Sequence, residues 1–226
     1  MPPGVATDVL IVAAHPPELA GLKPLLGDAL RAKVHDVDVA AEAVGIGLAA
    51  AAAGTAMAIR THSPRCVVLV GTCGVYESRA KEIGIGQVVA AHRVRLASTA
   101  TVEGRAAFPG PMLVGVDPDA SLSRALAGES ARRVGVATTL AITTDDTLAE
   151  RIGSTLECEV EHLEAFAVVA ACARLHVHTA VVLGVANRVG SSARDEWLRN
   201  HEAAGKVATD VVAAWLGRGA PGLLRT

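Results

Sequence analysis

The apolar positions of this chain gather into five runs, at residues 9–14, 66–70, 87–91, 135–142 and 179–186. Each run is short and shows little alternation, which predicts strands buried on both faces. Between the runs, apolar residues recur at helical spacing. Leu19, Leu22 and Leu25 or Leu26 share one face of a predicted short helix at 18–26, and Val207, Val211, Val212 and Leu216 share one face of a helix at 194–217. Residues 48–62 form an Ala-rich stretch of strong helix propensity that Pro64 ends. Further helices are predicted at 121–127, 145–152 and 163–175, the second opening on the acidic pair Asp145-Asp146, where negative charge suits a helix N-terminus.

The remaining predicted strands are residues 8–14, two pieces within 34–43, 66–70, 84–91, 93–98, 133–142 and 179–186. The pieces at 84–98 read as antiparallel hairpin material. Gly45-Ile46-Gly47 and Gly71-Thr72-Cys73-Gly74 read as tight turns, 104–111 as a loop, and residues 1–7 as a loose tail. Strands alternating with helices predict an α/β fold in three layers, a central mixed and largely parallel sheet with helices on both faces. No internal repeat or linker is visible, so residues 1–226 read as one domain.

Composition narrows the picture. About half the residues are apolar (51%), yet the aromatics are only Phe108, Phe166, Tyr76, Trp197 and Trp215. The core is therefore expected to consist of Ala, Val, Leu and Ile, with close helix-to-sheet packing. The net charge of −2 comes from interspersed charges without a basic stripe, which argues against a nucleic-acid partner. The longest uncharged apolar stretch near the N-terminal half, around residues 43–59, is short and broken by Gly45, Gly47 and Gly54, which argues against a membrane span. The N-terminus lacks a signal-peptide pattern. Cys66, Cys73, Cys158 and Cys172 show no paired spacing and read as buried thiols, which points to the reducing cytoplasm.

In an open α/β sheet, ligands bind beyond the carboxyl ends of the strands. Glu18 follows the first run. Asn187 ends the fifth and opens Asn187-Arg188-Val189-Gly190. Glu164 stands between the fourth and fifth, at the foot of an Ala/Val-rich helix. Two carboxylates and an amide placed there suit cleavage of a sugar–base bond. That reaction passes through a sugar cation: one carboxylate can deprotonate a water, a second can accept bonds from ribose hydroxyls, and a polar group can stabilise the departing base. A bland alternative accompanies each residue: a solvated helix carboxylate for Glu18, a turn residue after a strand for Asn187. His176 and His178 lack a third ligand nearby in sequence, so no metal site is expected.

Gly45-Ile46-Gly47, Val70-Gly71-Thr72-Cys73-Gly74, Leu163-Glu164-Ala165 and the strand ending at Asn187 together resemble the nucleoside phosphorylase/nucleosidase superfamily over about residues 8–216. Within it, the stretch 138–152 and the segment from Asn187 through Arg194-Asp195 and Trp197 are most similar to the futalosine hydrolases, which remove hypoxanthine from a nucleoside in a menaquinone pathway. There is also similarity to methylthioadenosine/S-adenosylhomocysteine nucleosidases. The resemblance implies that Glu18 activates water, that Glu164 grips the ribose 2′- and 3′-hydroxyls, and that Asn187 binds a purine base. An amide in place of the aspartate of adenine-specific members suits a 6-oxopurine, since it can both donate and accept. Thr72 and Gly74 fall near the sugar, and Leu163 stands where a methionine floors the ribose. Arg194 and Asp195 stand either to order the loop over the pocket or pair with a carboxylate of the substrate, or to form an exposed salt bridge. No cofactor is implied, the partner is a small purine nucleoside, and a homodimer or larger homo-oligomer is expected.

Three departures bear on the substrate. His162 replaces a glutamate or asparagine, Phe166 replaces a small residue and stands either to narrow the pocket or to stack on something, and the usual base-pocket aromatic is missing near residues 140–143. A phosphate-dependent phosphorylase is the near rival. Gly27-Asp28-Ala29-Leu30-Arg31-Ala32-Lys33 looks like a phosphate loop but follows Glu18 rather than the first strand, and Leu69 stands where phosphorylases carry an arginine before the glycine turn. A phosphate dianion without that arginine would be left poorly paired. A nucleoside-binding protein without turnover is the third reading.

Overall fold

The computed structural model describes residues 7–79, 81–128 and 131–223. The predicted loose tail lies outside these residues except for Thr7. That residue is buried and its N–H donates to the His62 carbonyl at 3.0 Å, so it is part of the fold rather than of a loose tail.

The first strand, β1 (Val9–Ala13), is fully buried and leads into a 3-10 helix at Pro16–Leu22 and a single α-turn, α1 (Lys23–Leu26). Pro16 and Pro17 start that turn, as proline suits a first helical position. Then come β2 (Arg31–Val34), β3 (Val37–Ala43), the Ala-rich α2 (Leu48–His62), β4 (Cys66–Val75), β5 (Val88–Leu96), α3 (Thr99–Val102) and β6 (Gly115–Val116). The chain finishes with α4 (Ala120–Ala127), β7 (Arg132–Thr138), α5 (Asp146–Leu156), β8 (Val160–Glu161), α6 (Ala165–Arg174), β9 (His178–Arg188) and α7 (Ala193–Gly217). Asp119 and Asp145 cap α4 and α5 by accepting backbone N–H bonds in the first turn.

The nine strands among the described residues belong to one mixed sheet. Its outer part runs β2-β3-β1-β4, with β1 parallel to both β3 and β4. Beyond β4 the strands close on themselves: β4 pairs with β9, β9 with β5, β5 with β7, β7 with β8, and β8 again with β4. The two faces carry separate cores. Leu10, Val12, Val67, Leu69, Val181 and Leu183 pack under α2 and α6, while Val9, Ile11, Val68, Val70 and Val182 pack under the 3-10 helix, α4 and α7. The two-residue period of a strand sends alternate side chains to opposite helix layers, and both sets are apolar. Small residues allow close approach: a Cβ on Gly184 of β9 would stand 1.9 Å from the Ala204 carbonyl oxygen of α7.

Four sequence expectations are corrected. Gly71-Thr72-Cys73-Gly74 is strand rather than turn, because its backbone pairs with Leu183, Gly184, Val185 and Asn187 of β9, with a bulge between Cys73 and Gly74. The expected hairpin is one strand, β5, whose register shifts between Ala91 and Arg93 and whose antiparallel partners are β9 and the short β6. The strand predicted to reach residue 142 stops at Thr138, and Leu140 is 77% exposed in the following loop. The helix expected from residue 163 starts at Ala165, since residues 162–164 serve the cavity described next.

Candidate functional site

The carboxyl ends of β1, β4 and β9 open into a cavity of about 1190 Å³. Glu18, Thr72, Gly74, His162, Leu163, Glu164, Asn187 and Arg194 all line it; Asp195, exposed in the first turn of α7, is not among the lining residues. Positions far apart in the chain thus meet, because three strands deliver their ends side by side. Gly74 pairs with Glu161 on one flank and with Asn187 on the other.

Glu18 projects from the 3-10 helix and is held by two amides. The His15 N–H donates to Oε2 at 3.1 Å and the Thr72 N–H to Oε1 at 3.2 Å. Burial pushes its carboxyl above the ordinary glutamate value; nearby Glu164 adds to the shift, while His162 and the two amides oppose it. A carboxylate so placed is a stronger proton acceptor than one in water. Gly71 makes room for it: a Cβ there would lie 2.9 Å from Glu18 Oε1 and 3.3 Å from His162 Nε2.

Glu164 ends the segment before α6 and is 5% exposed. Gly47, at φ +84°, turns its N–H to donate to Oε1 at 2.8 Å. A buried carboxylate requires hydrogen bonds, and one amide leaves most of its acceptor capacity unused. His162 is 4% exposed and its Nδ1 accepts the N–H groups of Glu164 and Ala165, both at 3.1 Å. Leu163 lends an apolar wall.

Asn187 is pinned by its neighbours. Its Nδ2 donates to the Arg188 carbonyl at 2.8 Å, which leaves one N–H and the Oδ1 acceptor for a ligand. Helix α7 clamps the strand on both sides of it. Asn200 Nδ2 donates to the Ala186 carbonyl at 3.0 Å, and Glu196 accepts the Arg188 N–H at 2.7 Å as well as its guanidinium. The Arg188 side chain holds the Glu196 carboxyl below its ordinary value. Gly74 leaves space for the amide, since a Cβ there would stand 2.8 Å from Asn187 Nδ2.

Thr72 joins the two halves: its N–H holds Glu18, and its Oγ1 accepts the Trp197 indole N–H at 3.1 Å. Trp197 stacks on His201 at 4.2 Å and gives the cavity an aromatic face. Phe166 does not narrow the cavity as expected; it packs against the core under α2 and α6, and its N–H donates to Thr138 Oγ1 at 3.0 Å. Cys73 is buried, which pushes its thiol well up and weighs against a thiolate nucleophile there. Residues 27–33, the would-be phosphate loop, form a turn and the edge strand β2 and do not line the cavity.

Several lining residues, among them His15, His201, Glu202 and Lys206, escaped the sequence reading, and Glu161 is the most deeply bonded of them. Glu161, 6% exposed, accepts the Tyr76 hydroxyl at 2.9 Å, the Thr143 hydroxyl at 2.6 Å and the Thr143 N–H at 3.1 Å. Its signal in the sequence is slight, a glutamate two positions after Glu159 in a strand of two residues.

The sequence profile of the phosphorylase superfamily matches residues 4–216. The chain belongs to that superfamily. Among solved structures, it is similar to the 5′-methylthioadenosine/S-adenosylhomocysteine nucleosidase of Helicobacter pylori in complex with butyl-thio-DADMe-Immucillin-A, with a TM-score of 0.84 at 13% identity, covering 94% of this chain and 99% of that one. It is similar to a futalosine hydrolase mutant of Helicobacter pylori (TM-score 0.83, 14% identity, 94% of this chain and 100% of that one). A third is the nucleosidase of Colwellia psychrerythraea in complex with adenine (TM-score 0.79, 21% identity, 94% and 96%). At these identities the likeness establishes the fold. A search of curated proteins by sequence found no match.

Proposed function

We propose that this protein is a purine nucleoside N-ribosyl hydrolase, acting on a 6-oxopurine nucleoside such as futalosine. The observation that carries the reading is the meeting of Glu18, Glu164 and Asn187 around one cavity, with burial raising the proton affinity of Glu18. Membership of the superfamily and the likeness in fold to nucleosidases and a futalosine hydrolase support it. The C1′–N bond breaks with its electron pair passing to the base. Water adds to C1′ and gives a proton to Glu18. Glu164 accepts the ribose hydroxyls, and the free N–H and Oδ1 of Asn187 meet the edge of the departing purine. These steps use protein side chains and water alone.

The phosphorylase alternative is disfavoured by Leu69, which is fully buried in the core, and by Glu18, whose charge opposes a phosphate dianion. The cavity exceeds the size of typical small-ligand pockets. A second copy of the chain, as the resemblance implies, would supply the missing wall around the sugar 5′-substituent. A cytoplasmic setting fits the four free cysteines.

The test is incubation with futalosine, inosine, adenosine and methylthioadenosine, with and without phosphate, followed by identification of the sugar. Free ribose or its 5′-derivative, formed without phosphate, is the expected product. Ribose 1-phosphate formed only with phosphate would replace the reading by phosphorolysis. Ligand-induced thermal stabilisation without release of base would replace it by simple binding.

A further inference from the structure

His162 lines the cavity at the entry to α6, and its surroundings define its hydrogen-bonding role. Two backbone N–H groups, of Glu164 and Ala165, aim at Nδ1. Nδ1 also stands 3.4 Å from Glu164 Oε2; with two backbone N–H groups aimed at Nδ1, the ring proton is assigned to Nε2. That Nε2–H reaches the space above Gly71, where a Cβ would touch Nε2 at 3.3 Å and Glu18 Oε1 at 2.9 Å. A donor and a carboxylate acceptor therefore stand side by side over Gly71, on the wall of the cavity that both residues line. On the cavity side of that pair, a single water can bridge the two.

We propose that His162 is the second arm of the nucleophile site: its Nε2–H donates to the oxygen of the attacking water, while Glu18 accepts that water's hydrogen. The assignment rests on the nucleosidase reading above. In a reaction through a sugar cation, the bond from water forms late, so orienting the water matters more than sharpening it as a nucleophile. The oxygen keeps a lone pair for C1′. Its proton passes to Glu18, and the electron pair of the broken C1′–N bond leaves with the base.

Two substitutions split the ring's two nitrogens. His162→Asn places an acceptor near Nδ1 and removes the distal donor. His162→Gln places an N–H near Nε2 and removes the acceptor that holds the start of α6. The probe is whichever of the four nucleosides above the unaltered protein cleaves fastest. The Asn variant is expected to lose about 10²-fold in kcat with KM changed less than about threefold, and to melt near the unaltered temperature. The Gln variant is expected to melt lower yet keep kcat within about tenfold.

Unchanged kcat in the Asn variant overturns the proposal, as does a rise in KM alone, which would place His162 on the ribose. Equal loss of kcat in both variants overturns it too. If the Asn variant does not fold, a folded Gln variant decides: a loss of about 10²-fold or more overturns the proposal, and retention supports it. No base released by the unaltered protein from any of the four nucleosides overturns the nucleosidase reading, and this assignment with it. Base release with a fully active Asn variant overturns this assignment alone.

Discussion

Glu161 and Glu164 are three residues apart, equally buried, and line the same cavity, yet they differ in what surrounds them. Glu161 is saturated from within the protein by Tyr76 and by both donors of Thr143. Glu164 takes a single hydrogen bond, from the Gly47 amide, while its Oε2 stands 3.4 Å from His162 Nδ1. The first fastens the loop after β7 to the sheet; the second is left with lone pairs that a ligand must meet. Burial alone does not separate a binding carboxylate from a structural one. The number of donors already supplied does. Glu18 falls between them, with two amides and a carboxyl pushed up by burial.

The contrast can be broken by substitution, from Glu18 to Glu161. Glu18→Gln is expected to bind nucleoside but release base about 10²–10⁴-fold more slowly, as for loss of a general base; normal turnover would remove its role. Asn187→Ala is expected to slow base release about 10²–10³-fold with less effect on ribose contacts, and kinetics equal to the parent's would exclude it from the mechanism. Glu164→Gln is expected to weaken nucleoside affinity about 10–100-fold by calorimetry, as for hydrogen bonds to a charged group, while the melting temperature hardly moves. Glu161→Ala should do the reverse. It orphans the Tyr76 hydroxyl and the Thr143 donors, so denaturant unfolding should show a loss of about 1–3 kcal/mol per stranded buried group, partly restored when Tyr76→Phe is added. If Glu164→Gln unfolds the protein and Glu161→Ala weakens only binding, the two roles are interchanged.

A pH titration sharpens the same contrast with the smallest effect. Burial raises the Glu161 carboxyl above the ordinary glutamate value. The folded state then holds its proton more tightly than the unfolded chain does. Stability from this group is full below the unfolded value and declines as pH rises through the raised folded value. The stability of Glu161→Gln relative to the parent should therefore climb across that window; a flat difference would show that the Tyr76 and Thr143 bonds offset burial. For base release, the raised Glu18 carboxyl predicts a rising limb above the usual carboxylate range, because the base must be ionised.

The sheet was legible where apolar runs are dense, since a fully buried strand needs no alternation to be recognised. It was illegible where backbone pairing overrides local composition. Gly71 and Gly74 carry turn chemistry but are used for space, one beside Glu18 and His162, the other beside Asn187. Strands of two residues, such as β8, leave no period to read. Of the candidate site, Glu18 and Asn187 were visible through their position at the ends of apolar runs, Glu164 through its place at the foot of a helix, and all three through their likeness to a known pattern. Glu161 was not, because its partners Tyr76 and Thr143 lie 85 and 18 positions away. The clamp of Asn200 and Glu196 around Asn187 was hidden for the same reason: it exists only once α7 lies across the end of β9.

The circuit of strands from β4 through β9, β5, β7 and β8 carries a consequence for how the protein behaves in a crowded solution. Strands joined in a circle offer a neighbouring molecule no row of vacant amides on which to template. The exposed edges of the sheet fall instead to the short β6 and to β2, where Arg31, bonded to Thr7, and Lys33, paired with Asp38, are exposed. Cationic side chains along a rim discourage another sheet from docking there. Replacing both with valine should turn a well-behaved protein into one prone to fibrous self-association.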